Sequence, residues 1–296
     1  MGAETERVLI AIHSTGYDAI QYHRHALEAV ERGADPRTTR VIAPQFFARD
    51  GIDGPIPDGM LHWKVTPYFG SSLATVGPDG PDATYSAYRV LDNLLSYLCE
   101  PGRLPALEEI VIAGHSAGGQ MAQRYALVGR FESPPGVHLR FVASAPSHFA
   151  YPTPKRWING SSRVPTAREL QAAPTYNHWG YGLEEPYRYF RGASVDMLIA
   201  RYPTRDVRYV CGALDRDVRD RSLSKAPPAM AQGTDRVERP KKFFAVLRDV
   251  YGKEIERSHR LEIPRGVAHR GWDALLTREG LACLFEPSPE EREDGA

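Results

Sequence analysis

The sequence predicts an α/β protein: a mostly parallel sheet of about six strands flanked by helices, with an insertion over one edge. Three observations predict it. Short runs that are apolar at every position recur along the chain, as expected of strands covered on both faces. Stretches with apolar residues at helical spacing separate these runs. Residues 147–204, rich in Pro, Arg and aromatic side chains, break that rhythm once and then let it resume.

The elements follow in order. Residues 8–12 form an apolar run that ends in the turn His13-Ser14-Thr15-Gly16. A helix follows with Ile20, Leu27 and Val30 on one face, and residues 40–47 are the next strand. Residues 48–83 are rich in Gly, Pro and Asp and are expected to form a long loop, a length that points to a functional surface. Residues 84–100 are a helix with Tyr88, Leu91, Leu95 and Leu98 in register, stopped by Pro101-Gly102. A strand at 110–113 runs into Gly114-His115-Ser116-Ala117-Gly118 and a helix from 120 to 127, and 137–145 is another strand. The insertion carries two short helical stretches, 167–172 and 194–201. Strands at 206–211 and 260–263, with helices at 242–251 and 272–285, complete the core. The expected organisation is one domain over 1–286, with 147–204 as a cap, and a flexible acidic tail over 287–296.

The chain has 296 residues, 42% hydrophobic and 25% charged, ordinary for a soluble globular protein. With 37 basic and 37 acidic residues its formal net charge is zero, so no overall field favours nucleic acid or an anionic membrane. The acidic start, Met1-Gly2-Ala3-Glu4-Thr5-Glu6, has neither a secretory nor a myristoylation pattern, and no apolar stretch is long enough to span a membrane. Cys99, Cys211 and Cys283 are widely spaced and read as small buried hydrophobes of a reducing, cytoplasmic setting.

The chemistry centres on G-x-S-x-G at 114–118. Strand, tight turn, helix is the context that lifts a serine hydroxyl above a sheet, with glycines relieving the crowded crossing and the helix N-terminus supplying free N–H groups. A serine hydroxyl becomes a nucleophile only when a base takes its proton, usually a histidine held by a carboxylate. His269, after the last strand, is the expected base. Asp215, just past the strand at 206–211, is the expected acid, in preference to Asp217 and Asp220. Right-handed crossovers bring all these turns to one sheet edge. An oxyanion needs two backbone donors: Ala117 is one, and Ser14 or Thr15 after the first strand is the other. His115 reads as a packing residue. Trp63, Tyr68, Trp179 and Tyr181 either line a substrate pocket or pack their segments onto the core. Arg156, Arg163, Arg188 and Arg191 fit a solvated surface better than an anion site. No phosphate loop, dinucleotide fingerprint, zinc spacing or calcium loop is visible, so neither cofactor nor metal is expected.

With these residues in place the chain resembles the α/β-hydrolase superfamily over residues 7–285, starting at the strand usually third in that fold, so that the first antiparallel strands are missing. Within it the chain is similar to a poorly characterised single-domain group of bacteria, fungi and plants. The matching segments are Ala43-Pro44-Gln45-Phe46-Phe47, Gly114 to Gln120, Asn177-His178-Trp179-Gly180-Tyr181-Gly182-Leu183 and Ala229-Met230-Ala231-Gln232-Gly233. The resemblance implies a Ser116-Asp215-His269 triad and no particular substrate. Two departures matter: His13-Ser14 stands where many relatives have His-Gly, and Ala268 replaces a glycine before the base. The expected activity is hydrolysis of a carboxylic ester or thioester through an acyl-enzyme, on a small-molecule acyl substrate. An acyltransferase or cyclase using the same residues, or a non-catalytic binder on the same fold, are the rivals. The aromatic residues of 48–83 and 147–204 favour a medium-sized, partly apolar ester.

Overall fold

The computed structural model describes residues 2–16, 18–63, 67–70, 73–76 and 82–286. Six strands make one all-parallel sheet: β1 (Arg7–Ile12), β2 (Thr39–Ile42), β3 (Glu109–His115), β4 (His138–Ser144), β5 (Asp206–Val210) and β6 (His259–Glu262), in spatial order β6-β5-β4-β3-β1-β2. β1 pairs with β2 on one side and β3 on the other, so the strand order reverses between β1 and β3. Sites of open parallel sheets form where neighbouring strands feed connections to opposite sides. The turns that follow β1 and β3 carry Ser14, Thr15 and Ser116.

Alternate residues of each strand enter two different cores. Val8, Ile10, Ile12, Ile110 and Ile112 pack under α2 (Ala87–Leu98) and α3 (Ala117–Val128). Leu9, Ala11, Val111, Ala113 and Val142 pack against α1 (Ala19–Gly33) and the C-terminal helix Arg278–Phe285. Both faces are covered, which is why the middles of β1 and β3 are apolar at every position. Caps set the helix starts: Asp18 accepts from Gln21 N at 2.9 Å, and Ser86 from Arg89 N at 3.2 Å.

Several boundaries differ from the sequence expectation. The strand expected at 40–47 ends at Ile42, and Phe46 N donates to His13 Nε2 at 2.9 Å instead of to a ladder. The expected loop at 48–83 contains short strands. Phe47–Ala48, Leu61–Trp63, Leu73–Val76 and Asp82–Ser86 form a separate four-stranded sheet. The last helix begins at Arg278 because Thr277 caps it, Oγ1 accepting from Gly280 N at 3.1 Å. The tail 287–296 lies outside the described residues.

Residues 147–204 hold a hairpin, Arg156–Ile158 with Ser161–Arg163, and the helices Ala167–Ala172 and Val195–Arg201. Arg156 is fully buried and ties the segment together. Its guanidinium donates to the carbonyls of Thr153, Lys155, Tyr176 and Tyr181 and lies 4.0 Å from the Tyr151 ring.

A buried relay runs below the sheet edge. His259 Nε2 donates to Tyr202 O at 3.0 Å, which leaves Nδ1 to accept from Tyr209 Oη at 2.9 Å; Tyr209 Oη in turn meets Tyr202 Oη at 2.8 Å. Burial holds His259 down at about 4 and also lowers His13, His115 and His148. These rings fold in the neutral form, whereas the unfolded chain protonates them near the ordinary histidine value. The unfolded state therefore binds more protons below about pH 6.5, and stability falls as the pH drops from there. His259 alone should cost about 3 kcal/mol by pH 4. Thermal melting followed between neutral and acid pH should show a steady fall through this window. A flat profile would contradict the buried neutral assignment.

Candidate active site

Ser116 sits between β3 and α3 with φ 55° and ψ −114°, a strained conformation for a non-glycine residue. The turn is locked from both ends: Ser116 N donates to Ser144 O at 2.8 Å, and Ser116 O accepts from Gln120 N at 2.9 Å. The surrounding glycines follow from close backbone approach. A Cβ on Gly114 would lie 2.3 Å from Gly118 C, one on Gly118 2.3 Å from Ile12 O, and one on Gly119 2.4 Å from Ser144 O. None of these neighbours is a side chain that could swing away, so the crossing of β1, β3, β4 and α3 admits no side chain there.

Among the three candidate acids, geometry selects one. Asp215 Oδ2 lies 2.7 Å from His269 Nδ1. Asp217 is exposed and accepts from Arg219 N at 2.9 Å. Asp220 faces Ser222 and Arg236. Burial would raise its carboxyl, but the Ser222 N–H and hydroxyl and the Arg236 charge outweigh that and hold it at about 2. Arg236 is buried and reaches both acids, Asp215 Oδ1 at 3.4 Å and Asp220 Oδ2 at 2.9 Å, and also donates to Ser222 Oγ at 2.7 Å. The Asp215 carboxylate can only accept from His269, so Nδ1 carries the proton and Nε2 keeps the lone pair of the neutral ring. No hydrogen bond joins Ser116 Oγ to His269 among the described residues; such contacts commonly close when substrate is bound.

His115 does more than fill space. Its ring lies 4.5 Å from that of His269 at an angle of 36°. Burial, the His269 ring and the Arg236 charge keep His115 far below the ordinary histidine value, so it backs the base as a neutral plate. Its place next to Ser116 was visible in the sequence; its contact with a residue 154 positions away was not.

On the opposite wall, Ala117 N–H belongs to the first turn of α3, where backbone donors lack helical acceptors. Thr15 lines an open cleft of about 540 Å³ together with Ser116, Ala117 and Gln120, while Ser14 O accepts from His13 Nδ1 at 2.8 Å. Phe46 N–H donates to His13 Nε2, which fixes the His13 proton on Nδ1 and holds the turn after β1 from beneath. The remaining lining includes Phe69, His148 and Arg221.

The pattern of the alpha/beta hydrolase family matches residues 9–273. The chain belongs to that family. Among solved structures, this α/β hydrolase resembles poly(aspartic acid) hydrolase-1 from Sphingomonas sp. KT-1, with TM-score 0.64 and 18% identity over 96% of this chain and 89% of that one. It also resembles LpqC, a poly(3-hydroxybutyrate) depolymerase from Bordetella parapertussis, with TM-score 0.62 and 17% identity over 99% and 86% of the two chains. No curated protein matches the sequence. Family membership supports hydrolase activity. The α/β-hydrolase sheet here starts at β1 and has no antiparallel strand among the described residues. No helix of the described residues is long and apolar enough to cross a membrane.

The expected aromatic lining needs correction within this hydrolase. Trp63 is buried in the core, its ring 5.6 Å from Phe46. Trp179 is buried too, donating from Nε1 to Gly70 O at 2.6 Å and packing 4.4 Å from Phe190. Neither lines the cleft. Tyr181 stands behind the wall, stacked on His148 at 4.5 Å. The side chain of Tyr68 lies outside the described residues; its neighbour Phe69 reaches the cleft. The arginines singled out in the insertion are elsewhere as well. Arg156 is structural, Arg163 pairs with Glu169 at 2.8 Å, and Arg188 and Arg191 are exposed away from the cleft.

Proposed function

We propose that this α/β hydrolase is a serine hydrolase that cleaves a carboxylic ester or thioester through an acyl-enzyme, with residues 147–204 as its cap. The observation that carries the reading is the pairing of a strained, cleft-facing Ser116 with a buried Asp215–His269 contact at the same sheet edge. Ser116 Oγ attacks the acyl carbon as its proton passes to His269 Nε2. Asp215 holds the ring in the required tautomer and stabilises its charged form. Ala117 N–H and the turn at Ser14-Thr15 take the oxyanion, Thr15 being the one on the cleft. The proton on His269 goes to the departing alkoxide or thiolate. His269 then takes a proton from water, whose oxygen attacks the acyl-enzyme, and the acid leaves as Ser116 recovers its hydroxyl. No cofactor enters any step.

A fluorophosphonate probe tests this directly. Intact mass should rise by one adduct, mapped by peptide analysis to Ser116. A native, folded protein that stays unlabelled would exclude an activated serine.

A further inference from the structure

We propose that the cleft above Ser116 takes an acyl substrate that bears a carboxylate on its acyl chain, with Arg221 as the residue that binds it. The inference deepens the serine-hydrolase reading and rests on it for the word substrate. It departs from the apolar ester that the aromatic residues led us to expect.

The first observation is the charge on the wall. Arg221 lines the cleft with Ser116, and among the described residues no carboxylate lines it and Arg221 makes no ion pair. The loop that carries it is pinned on both sides of the arginine. Asp220 Oδ1 accepts from Ser222 N at 2.7 Å, Arg236 grips Asp220 and Ser222, and Ser224 N donates to Ser147 Oγ at 2.7 Å. The backbone that presents this exposed cation to the cleft is therefore a structured loop.

The second observation lies beneath the wall. Arg124 and Arg239 are both fully buried, and no carboxylate among the described residues pairs with either. Arg124 Nη2 donates to Gln120 Oε1 at 3.0 Å, to Gly180 O at 2.9 Å and to His148 Nε2 at 2.9 Å. Arg239 donates to the carbonyls of Gly233 at 3.0 Å, Ser224 at 2.8 Å and Ser147. Burying a cation with only neutral partners is costly, and a counter-charge relieves that cost. Gln120, Ser147 and His148, which these guanidiniums hold, are themselves cleft residues. Arg236 is set against Asp215 and Asp220, whereas Arg124, Arg239 and Arg221 make no ion pair among the described residues.

The third observation is a tautomer. A guanidinium only donates, so His148 Nε2 must accept from Arg124 and the ring proton sits on Nδ1. That Nδ1–H is buried with no partner among the described residues, on a residue that lines the cleft. Burial and the Arg124 and Arg239 charges keep the ring neutral.

The test compares two 4-nitrophenyl esters of equal chain length, the monoester of adipic acid, which ends in a carboxylate, and the hexanoate, which does not. The wild-type kcat/KM should favour the adipate monoester by about tenfold at low ionic strength, and the preference should shrink in high salt. Arg221→Gln should reduce the adipate-to-hexanoate ratio by about tenfold. A preference for hexanoate, or a ratio unmoved by Arg221→Gln, would overturn the proposal. Calorimetric titration of the wild-type protein with adipate itself separates this from the hydrolase reading. If neither ester turns over, hydrolysis is the reading that fails. Saturable, salt-sensitive adipate binding that is lost in Arg221→Gln would still support the anion site, and absence of adipate binding would reject it whatever the activity.

Discussion

Ser116→Ala removes all burst release of 4-nitrophenol and lowers turnover by about a thousandfold or more, because the covalent route is lost and only binding and the oxyanion donors remain. The fold should survive. The turn is fixed by the backbone bonds to Ser144 O and from Gln120 N, neither of which uses the hydroxyl, and alanine meets the same φ of 55° that serine already tolerates. Circular dichroism and thermal melting should match the wild type. Retention of more than about a tenth of wild-type turnover would reject the covalent mechanism.

Asp215→Asn should cost about a thousandfold in kcat, against less than about threefold for Asp217→Asn. Arg236 decides how the new amide sits. Its Nη1 lies 3.4 Å from Asp215 Oδ1 and only donates, so the asparagine turns its oxygen towards Arg236 and its NH2 towards His269. His269 Nδ1 must then accept, the ring proton moves to Nε2, and the lone pair needed to deprotonate Ser116 is gone. Asp217 has no contact with His269, and its carboxylate only caps the turn at Arg219. Steady-state kinetics on both variants, with melting curves as a control, settles the comparison. Equal losses would show that Asp215 does not orient the base.

How legible the protein was in its sequence depended on which signal each element carries. β1 and β3 stood out because their two faces enter different cores, which makes their middles apolar, whereas β4 and β5 also carry the buried charges Arg140, Asp206 and Arg208. β2 was drawn too long because the apolar and aromatic run continues to Phe47, and nothing local records that His13 captures the Phe46 N–H. The second sheet escaped because its strands are too short to show a period. The hairpin at 156–163 carried a readable sign, Asn159-Gly160 with φ of 51° and 81°, the pair that two-residue hairpin turns favour. Of the site, Ser116, Asp215 and His269 could be placed from strand ends and order alone. Asp215 was preferred to Asp217 on the same grounds, and its 2.7 Å contact with His269 shows only in the packed chain. Arg124 and Arg239 could not be found at all, since charged residues on helices read as solvent-facing and only the packed chain shows them buried. For Trp63 and Trp179 the sequence left pocket lining and core packing open, and the packed chain shows both buried in the core.

Arg236 spans Asp215 and Asp220 with a single guanidinium. One end of that span orients His269, and the other anchors the loop that carries Arg221 to the rim of the cleft. The two tasks are thus mechanically yoked. Under the proposed mechanism, a shift of the rim as a ligand seats would pull on the carboxylate that contacts His269, and a shift of that carboxylate would slacken the rim. Neither recognition nor proton transfer can be retuned at position 236 without disturbing the other, so variants there should alter KM and kcat together.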